Sequence, residues 1–161
     1  MLKLFLLRHG KATKFIDQAS DFMRALNKQG TAQVNQIGYI LCQNKTEISQ
    51  IISSDAQRTV ETAEIVNFYL KLKPIEFRTD LYLAKYGLIL HQIGLTGKGK
   101  NILYVGHNNG ISDLASYLTG KQIDLSTSQL VEIHFDLDSW QEITKDSGTF
   151  VNQIIPEIHS F

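Results

Sequence analysis

Short apolar runs alternate with stretches whose apolar residues recur at helical spacing, and this alternation constrains the fold more than any other feature of the sequence. Residues 2–7 are apolar except for Lys3, which is typical of a strand that is covered on both faces. Residues 50–53 and 101–105 form two later runs of the same kind. Strands that alternate with helices predict an α/β fold, a three-layer sandwich in which helices flank a mostly parallel central sheet.

Four stretches carry the apolar stripe of an amphipathic helix that packs on the sheet. They lie at residues 34–41, 60–70, 86–93 and 111–118. Ser54 and Gln57 have the spacing of a capping box, which predicts that Ser54 is the N-cap of the second helix. Residues 75–77 are expected to form an edge strand and residues 130–135 a late strand, whereas the sequence after Ser147 shows no interpretable pattern.

The composition is that of an ordinary globular domain. The chain has 161 residues, a hydrophobic content of 43% and a formal net charge of zero, so we expect a single domain over residues 1–161, and a monomer. A neutral chain has no general attraction for nucleic acid or anionic membranes, so any anion site must be local. No stretch approaches the ~20 apolar residues of a membrane span, and no signal peptide is recognisable, which favours a cytoplasmic location. Cys42 is the single cysteine and is expected to be a small residue of the core or of its boundary.

Histidine and arginine residues follow the predicted strands at the points where those strands end. Arg8-His9-Gly10 comes directly after the first apolar run, and Gly106-His107-Asn108 comes directly after the run at 101–105. Arg58 lies in the first turn of the helix that follows the second strand. The carboxyl ends of parallel strands form one rim of an α/β sheet, and ligands bind in the crevice outside that rim. We therefore expect these three segments to meet there.

These residue types suit the binding and transfer of a phosphoryl group. Arginine offers a planar fork of donors to phosphate oxygens, and a neutral histidine can act as a nucleophile. We expect His9 to attack phosphorus and to form a phosphohistidine that water then hydrolyses. Arg8, Arg58 and a protonated His107 are expected to hold the equatorial oxygens. Two predicted helices begin at the same rim, and Gly10 would let the backbone come close to the anion.

The motifs, taken together, resemble those of the histidine phosphatase (phosphoglycerate mutase-like) superfamily. The segments that match in order and spacing are Arg8-His9-Gly10, Ser53-Ser54 with Arg58-Thr59 and Thr62-Ala63, and Gly106-His107-Asn108. Two further segments are similar to the small SixA-type phosphohistidine phosphatases, namely residues 21–26 followed by Gly30, and Thr127-Ser128 followed by Trp140. The resemblance covers roughly residues 2–140.

The resemblance implies a phosphoglycerate mutase-like fold and chemistry that needs neither a metal nor another cofactor. It implies catalytic roles for Arg8, His9, Arg58 and His107. It also implies a substrate-binding site formed by Arg8, Gly10, Arg24, Arg58, His107 and Asn108.

The sequence departs from the family pattern at the general acid. Many larger relatives carry a glutamate shortly after the third strand, and the corresponding residues 80–84 of this chain contain none. Asp80, Asp17 and Asp21 are candidate substitutes, but none of them matches the pattern residue by residue. A second departure is Ala25, which stands where the SixA-type segment has proline.

The motifs predict a phosphatase that works through a phosphohistidine intermediate. The expected substrate is phosphohistidine on a signalling or carrier protein, with a small phosphorylated molecule as the alternative. A third hypothesis is a catalytically silent module that only binds phosphate or a phosphoprotein. The His9 and His107 pair disfavours that module, because binding alone would require arginines but no nucleophile. Neither nucleic acid nor a membrane is an expected partner.

Overall fold

The computed structural model describes residues 1–14, 18–71 and 74–157. Within these ranges, six strands form one sheet in the order β3-β2-β4-β1-β5-β6. The strands are β1 Leu2–Arg8, β2 Gln50–Ser54, β3 Glu76–Arg78, β4 Asn101–Gly106, β5 Leu130–Phe135 and β6 Thr149–Ile154. Strands β1 to β4 pair in parallel, whereas β5 and β6 are antiparallel additions beside β1.

Four α-helices cover the two faces of this sheet in the described part of the chain. They are α1 Lys28–Gln43, α2 Gln57–Leu70, α3 Tyr86–Thr96 and α4 Gly110–Thr119. The apolar residues of α1 and α2 pack in one buried cluster with β1 and β4 side chains such as Leu7 and Val105. Those of α3 and α4 pack in a second cluster, on the opposite face, with Leu6 and Tyr104. The predicted three-layer α/β sandwich with a mostly parallel sheet is confirmed.

The structure corrects two local predictions. Ser54 is the last residue of β2, and the N-cap of α2 is Ala56, so the predicted capping box is absent from this helix start. The Ser54 hydroxyl instead lies 2.8 Å from the imidazole of His107, a tertiary contact that local spacing does not reveal. Cys42 is exposed on α1. The buried residues of that helix end with Leu41, and Cys42 comes one residue later, off the buried face.

The parallel strands end together at one rim of the sheet. Strand β1 ends at Arg8, β2 at Ser54 and β4 at Gly106, and helices α2 and α4 begin close beyond the ends of β2 and β4. This topology carries the histidine and arginine segments to a common edge, as the order of the motifs predicts. Of the helices in the described ranges, none has the length and apolar character that crossing a bilayer requires.

Candidate active site

A cavity of about 640 Å³ opens at the rim and collects most of the predicted site residues. Its lining consists of Arg8, His9, Lys11, Ala12, Asp21, Arg24, Arg58, Leu83, His107, Asn108 and Thr127. Gly10 follows His9 directly and lies beside this lining. The structure therefore brings together the residues that the sequence predicts for the site; their roles stay predictions.

The ring of His9 is held in one orientation by a contact at each nitrogen. Its Nδ1 lies 2.7 Å from the carbonyl oxygen of Gly10, which can only accept, so Nδ1 carries the proton. Its Nε2 lies 3.3 Å from Nε of Arg58, which can only donate, so Nε2 carries a lone pair. Burial, with smaller contributions from nearby arginines, lowers the pKa of His9 to about 4. Near neutral pH, His9 is thus a neutral imidazole whose Nε2 lone pair lies beside Arg58 in the cavity, the protonation state that nucleophilic attack requires.

Gly10 supports the orientation of His9 through its backbone. Its N–H donates to Thr62 Oγ1 at 3.0 Å, while its carbonyl accepts from His9. A Cβ at this position would lie 2.8 Å from Cγ2 of Val34 on α1, so only glycine fits between the strand end and the helix. Gly10 therefore packs against α1 and orients the ring of His9. Its N–H already donates to Thr62, and its direct contact with an anion stays a prediction.

Arg58 is buried and fully oriented by its neighbours. Its Nη1 donates to the backbone carbonyl of Asp21 at 2.8 Å, and its Nη2 lies 3.3 Å from Oδ2 of the Asp21 carboxylate. Its Nε faces His9, as described above. These contacts use three of the five N–H groups of the guanidinium. Arg58 thus lines the cavity with its guanidinium fixed on both sides, by Asp21 and by His9.

Two further arginines border the cavity. Arg24 pairs with Oδ1 of Asp21 at 3.0 Å and donates to the carbonyl of Thr13, so Asp21 joins Arg24 to Arg58. Arg8 donates through Nη1 to the carbonyl of Leu125 at 2.8 Å. Its buried Nε has no partner among the described residues, and burial lowers the pKa of its guanidinium. Both arginines thus reach the cavity with donors to spare.

The electrostatics of the cavity favour an anion. Four cationic side chains line it, and the acid among its described lining residues is Asp21. Asn108, which also lines the cavity, donates to Asp124, and its amide oxygen accepts from Ser112, so its side chain is fixed just before the start of α4. Within residues 1–14, 18–71 and 74–157, no group of three or more His, Cys, Asp and Glu side chains is arranged to hold a metal ion.

His107 is held by Ser54 and lies close to His9. Its Nε2 is 2.8 Å from the Ser54 hydroxyl, and its ring centroid is 5.2 Å from that of His9. Burial above all, and then the neighbouring His9 and Arg58, lower the pKa of His107 to about 3. His107 is therefore a neutral imidazole near pH 7, in contrast to the protonated form expected from the sequence. A neutral imidazole still offers one N–H to a phosphate oxygen.

The candidate acids differ in their positions. Asp21 lines the cavity, but the hydrogen bond from Tyr82 and the charges of Arg58 and Arg24 hold its pKa below the usual value, so the carboxyl is ionised near neutral pH. Asp80 is exposed, outside the described cavity lining, and its carboxylate contacts Arg78 and Gln92. Asp17 lies outside the described residues. Neither Asp21 nor Asp80 is thus placed and protonated to act as a proton donor to a leaving group.

Sequence reasoning missed three residues that support the site. Ser54 contacts His107, Thr62 contacts Gly10, and Tyr82 donates a hydrogen bond to Asp21. Ser54 and Thr62 belong to the motifs that resemble the family, so the sequence could have indicated that they lie near the site. It could not have indicated which residues they contact. Tyr82 stands in a segment without periodicity, and only the tertiary structure brings it to the site.

The two buried histidines should make stability fall on mild acidification. Their folded-state pKa values of about 4 and about 3 lie below the ordinary value of 6.5, so the unfolded chain binds protons first as the pH falls. Their contribution to the free energy of unfolding is fully present above pH 6.5 and is lost progressively as the pH falls toward about 4. One pKa unit corresponds to ~1.4 kcal/mol, so we expect a loss on the order of a few kcal/mol.

Urea unfolding at about pH 7 and about pH 4.5 measures this loss. We expect a smaller loss in His107→Ala than in wild type. His91→Ala, which removes an exposed imidazole from α3, should lose as much as wild type. An equal loss in all three proteins would contradict the assignment of the effect to the buried pair.

Comparisons with known proteins agree with this geometry. The sequence matches the histidine phosphatase superfamily (branch 1) over residues 4–89. A chloroplastic protein of Arabidopsis thaliana described as uncharacterized is 28% identical over 166 residues, which cover 91% of this chain and 72% of that protein.

Two solved structures show the same fold over nearly their whole length. A structure described as the protein histidine phosphatase SixA complexed with tungstate has a TM-score of 0.80 and 26% identity, and the match covers 95% of this chain and 96% of that one. A SixA structure from Agrobacterium tumefaciens has a TM-score of 0.84 and 21% identity, with 96% and 98% covered. The resemblance to SixA-type proteins stated from the sequence is confirmed. Since the family match spans more than half of the 161 residues, the chain belongs to the histidine phosphatase superfamily.

Proposed function

We propose that the protein is a phosphatase that transfers a phosphoryl group to His9 and then to water, and that its substrate is phosphohistidine on another protein. The observation that carries the proposal is the state of His9. Its Nδ1 proton is held by Gly10, and its Nε2 lone pair faces a cationic cavity beside Arg58. Superfamily membership supports a phosphatase independently.

In the first step, Nε2 of His9 attacks phosphorus in line with the bond that breaks. A bond forms between Nε2 and phosphorus, and the bond from phosphorus to the substrate nitrogen breaks, with its electron pair returning to that nitrogen. Arg58 has to turn its Nε–H from the lone pair, 3.3 Å away, toward a phosphoryl oxygen. The donor that orients the His9 ring before the reaction thus stabilises charge on the transferring group.

In the second step, water attacks the phosphorylated His9. The bond from phosphorus to Nε2 breaks, the electron pair returns to Nε2, and the water proton leaves with inorganic phosphate or solvent. Throughout, the proton stays on Nδ1, which donates to the carbonyl oxygen of Gly10 at an N···O distance of 2.7 Å. His9 therefore leaves as a neutral imidazole, and the resting state is restored without a further proton donor.

The proposed substrate class rests on the candidate acids that the structure describes, since neither of them is placed to protonate a leaving group. The leaving group of an alkyl phosphate is an alkoxide, so its cleavage needs a well-placed acid that protonates the leaving oxygen. A phosphohistidine can be protonated on its distal ring nitrogen before the bond breaks, and its imidazole then departs neutral. In this site Asp21 is ionised by its partners and Asp80 contacts Arg78 outside the cavity lining. The site therefore suits a leaving group that carries its own proton.

We expect phosphohistidine on a protein or peptide to be turned over at least ~10-fold better in kcat/KM than any alkyl phosphomonoester, a gap of ~1.4 kcal/mol in transition-state free energy. A turnover panel of phosphohistidine protein, an aryl phosphate and sugar phosphates measures this preference. A sugar phosphate hydrolysed as efficiently as phosphohistidine would contradict it and favour the small-molecule phosphomonoesterase. In that case Asp17, Asp21 and Asp80 would each have to be tested as the acid.

A labelling experiment separates an enzyme from a silent binding module. Brief incubation with a labelled phosphoryl donor, followed by detection of acid-labile phosphate, reports a phosphohistidine intermediate. A binding module would retain the anion reversibly and would show no covalent label. Tungstate should bind in the cavity against Arg8, His9, Arg58 and His107 in either case, so anion binding alone does not decide between them.

A further inference from the structure

Tyr82 packs against the site from outside the described cavity lining. It follows the short 3-10 helix Thr79–Leu81, and its side chain is half-buried. Its ring meets the ring of His107 edge to face, with centroids 5.5 Å apart, and the ring of Phe22 in the same way at 5.1 Å. The guanidinium carbon of Arg58 lies 5.9 Å from the Tyr82 ring centroid. One side chain thus contacts both His107 and Arg58.

The hydroxyl of Tyr82 begins a chain of hydrogen bonds that ends at His9. It donates to Oδ2 of Asp21. The same oxygen lies 3.3 Å from Nη2 of Arg58, and Nε of Arg58 lies 3.3 Å from Nε2 of His9. The other oxygen of Asp21, Oδ1, pairs with Arg24 at 3.0 Å. The Asp21 side chain is 28% exposed, so water competes with both arginines for its oxygens, and the Tyr82 hydroxyl adds a third contact that holds the carboxylate.

We propose that Tyr82 is a positioning residue for the phosphoryl transfer proposed above, on which this inference rests. Its hydroxyl fixes Asp21 as the anchor of Arg58, and its ring shields His107 from water. Tyr82 acts through these partners and not through contact with the phosphoryl group. The hydroxyl and the ring of Tyr82 have separate roles, so separate substitutions can test them.

The test of the hydroxyl is Tyr82→Phe, which keeps the ring contacts with His107 and Phe22. We expect kcat/KM to fall about tenfold and the tungstate Kd to rise, since one hydrogen bond to a carboxylate is lost. The matched control is Tyr69→Phe, which removes the hydroxyl that donates to Asn35 between α2 and α1, away from the rim. If Tyr82→Phe has the kcat/KM of the control, the anchoring role is overturned.

A double-mutant cycle with Asp21→Asn shows whether the hydroxyl acts through Asp21. If it does, Tyr82→Phe should cost far less in the Asp21→Asn background than in wild type. Equal fold losses in the two backgrounds would overturn the proposed pathway, even if each single variant were less active. Thermal unfolding of every variant identifies losses that come from misfolding.

The test of the ring is Tyr82→Leu, read by NMR titration of the His107 imidazole. Burial is the largest cause of the low pKa of His107, and the charged or titratable groups that face it are His9, Arg58, Asp21 and Arg8. All four remain in the variant. We expect the pKa of His107 to rise toward 6.5 in Tyr82→Leu and to stay low in Tyr82→Phe. An unchanged pKa in Tyr82→Leu would show that the ring does not shield His107.

The outcome is distinguishable from failure of the proposed function. Wild-type protein that hydrolyses none of the phosphohistidine, aryl or sugar phosphates would refute the phosphatase and leave Tyr82 without a reaction to serve. Wild-type protein that turns over any of these, together with a Tyr82→Phe variant of unchanged activity, would refute only the role of Tyr82.

Discussion

His9→Ala should abolish the covalent intermediate and reduce turnover below ~1% of wild type, because loss of a nucleophile normally costs several orders of magnitude. His9 stands at the end of β1, where its side chain contacts Gly10, Arg58 and the ring of His107. Truncation therefore removes polar contacts at the cavity and little of the apolar core. Steady-state turnover and acid-labile labelling of the same preparation measure the two effects.

The matched control for this variant is His134→Ala. His134 lies on β5 opposite Lys3, at the end of β1 remote from the rim, and its imidazole contacts Glu132. We expect this variant to keep wild-type turnover. Turnover above ~1% in His9→Ala would show that His9 is not the nucleophile, whereas inactivity in both variants would indicate a general sensitivity to histidine loss.

The sequence predicts the gathering of the site because the relevant signals are carried by strand order. The apolar runs that become β1 and β4 end directly before His9 and His107. Parallel pairing of these strands, with Arg8 opposite Gly106, then places both histidines at one rim. No knowledge of side-chain contacts is needed for that step, since the carboxyl ends of parallel strands coincide.

Contacts between distant segments are what the sequence does not predict. The spacing of Ser54 and Gln57 favours a local cap, but His107, 53 residues further along the chain, bonds the Ser54 hydroxyl. The ionised state of Asp21 depends on Tyr82, 61 residues away. Burial is the largest cause of the low pKa of His107, and the hydrogen bond from Tyr82 is the largest cause of the low pKa of Asp21. The acid–base chemistry of the site therefore follows from the tertiary structure and not from motif spacing.

Strand β6 was also missed, for a different reason. Thr149–Ile154 pairs with β5 at the edge of the sheet, and none of its residues is fully buried. An edge strand without a buried face lacks the alternation of apolar and polar residues by which strands are recognised. β6 forms by pairing with the backbone of β5. A local sequence pattern carries no information about such a partner strand.

Arg58→Ala should reduce kcat/KM by roughly 100-fold or more, the effect typical of removing one donor to the developing charge. Arg58→Lys should recover less than about tenfold of that loss, since lysine keeps the charge but lacks the planar fork. The geometry explains why. Arg58 contacts the Asp21 carbonyl, the Asp21 carboxylate and Nε2 of His9 with three different nitrogens. A single ammonium group cannot meet these acceptors and a phosphoryl group together.

Arg78→Lys provides the matched control for the lysine substitution. Arg78 pairs with Glu76 and Asp80 at the β3 edge, outside the described cavity lining, so its replacement tests the general cost of changing an ion-paired arginine. We expect it to keep wild-type kcat/KM. Equal activity of Arg58→Lys and wild type would show that Arg58 supplies only diffuse positive charge. The hydrogen bond to Nε2 would then have no part in orienting His9, and the positioning role of Asp21 and Tyr82 would fall with it.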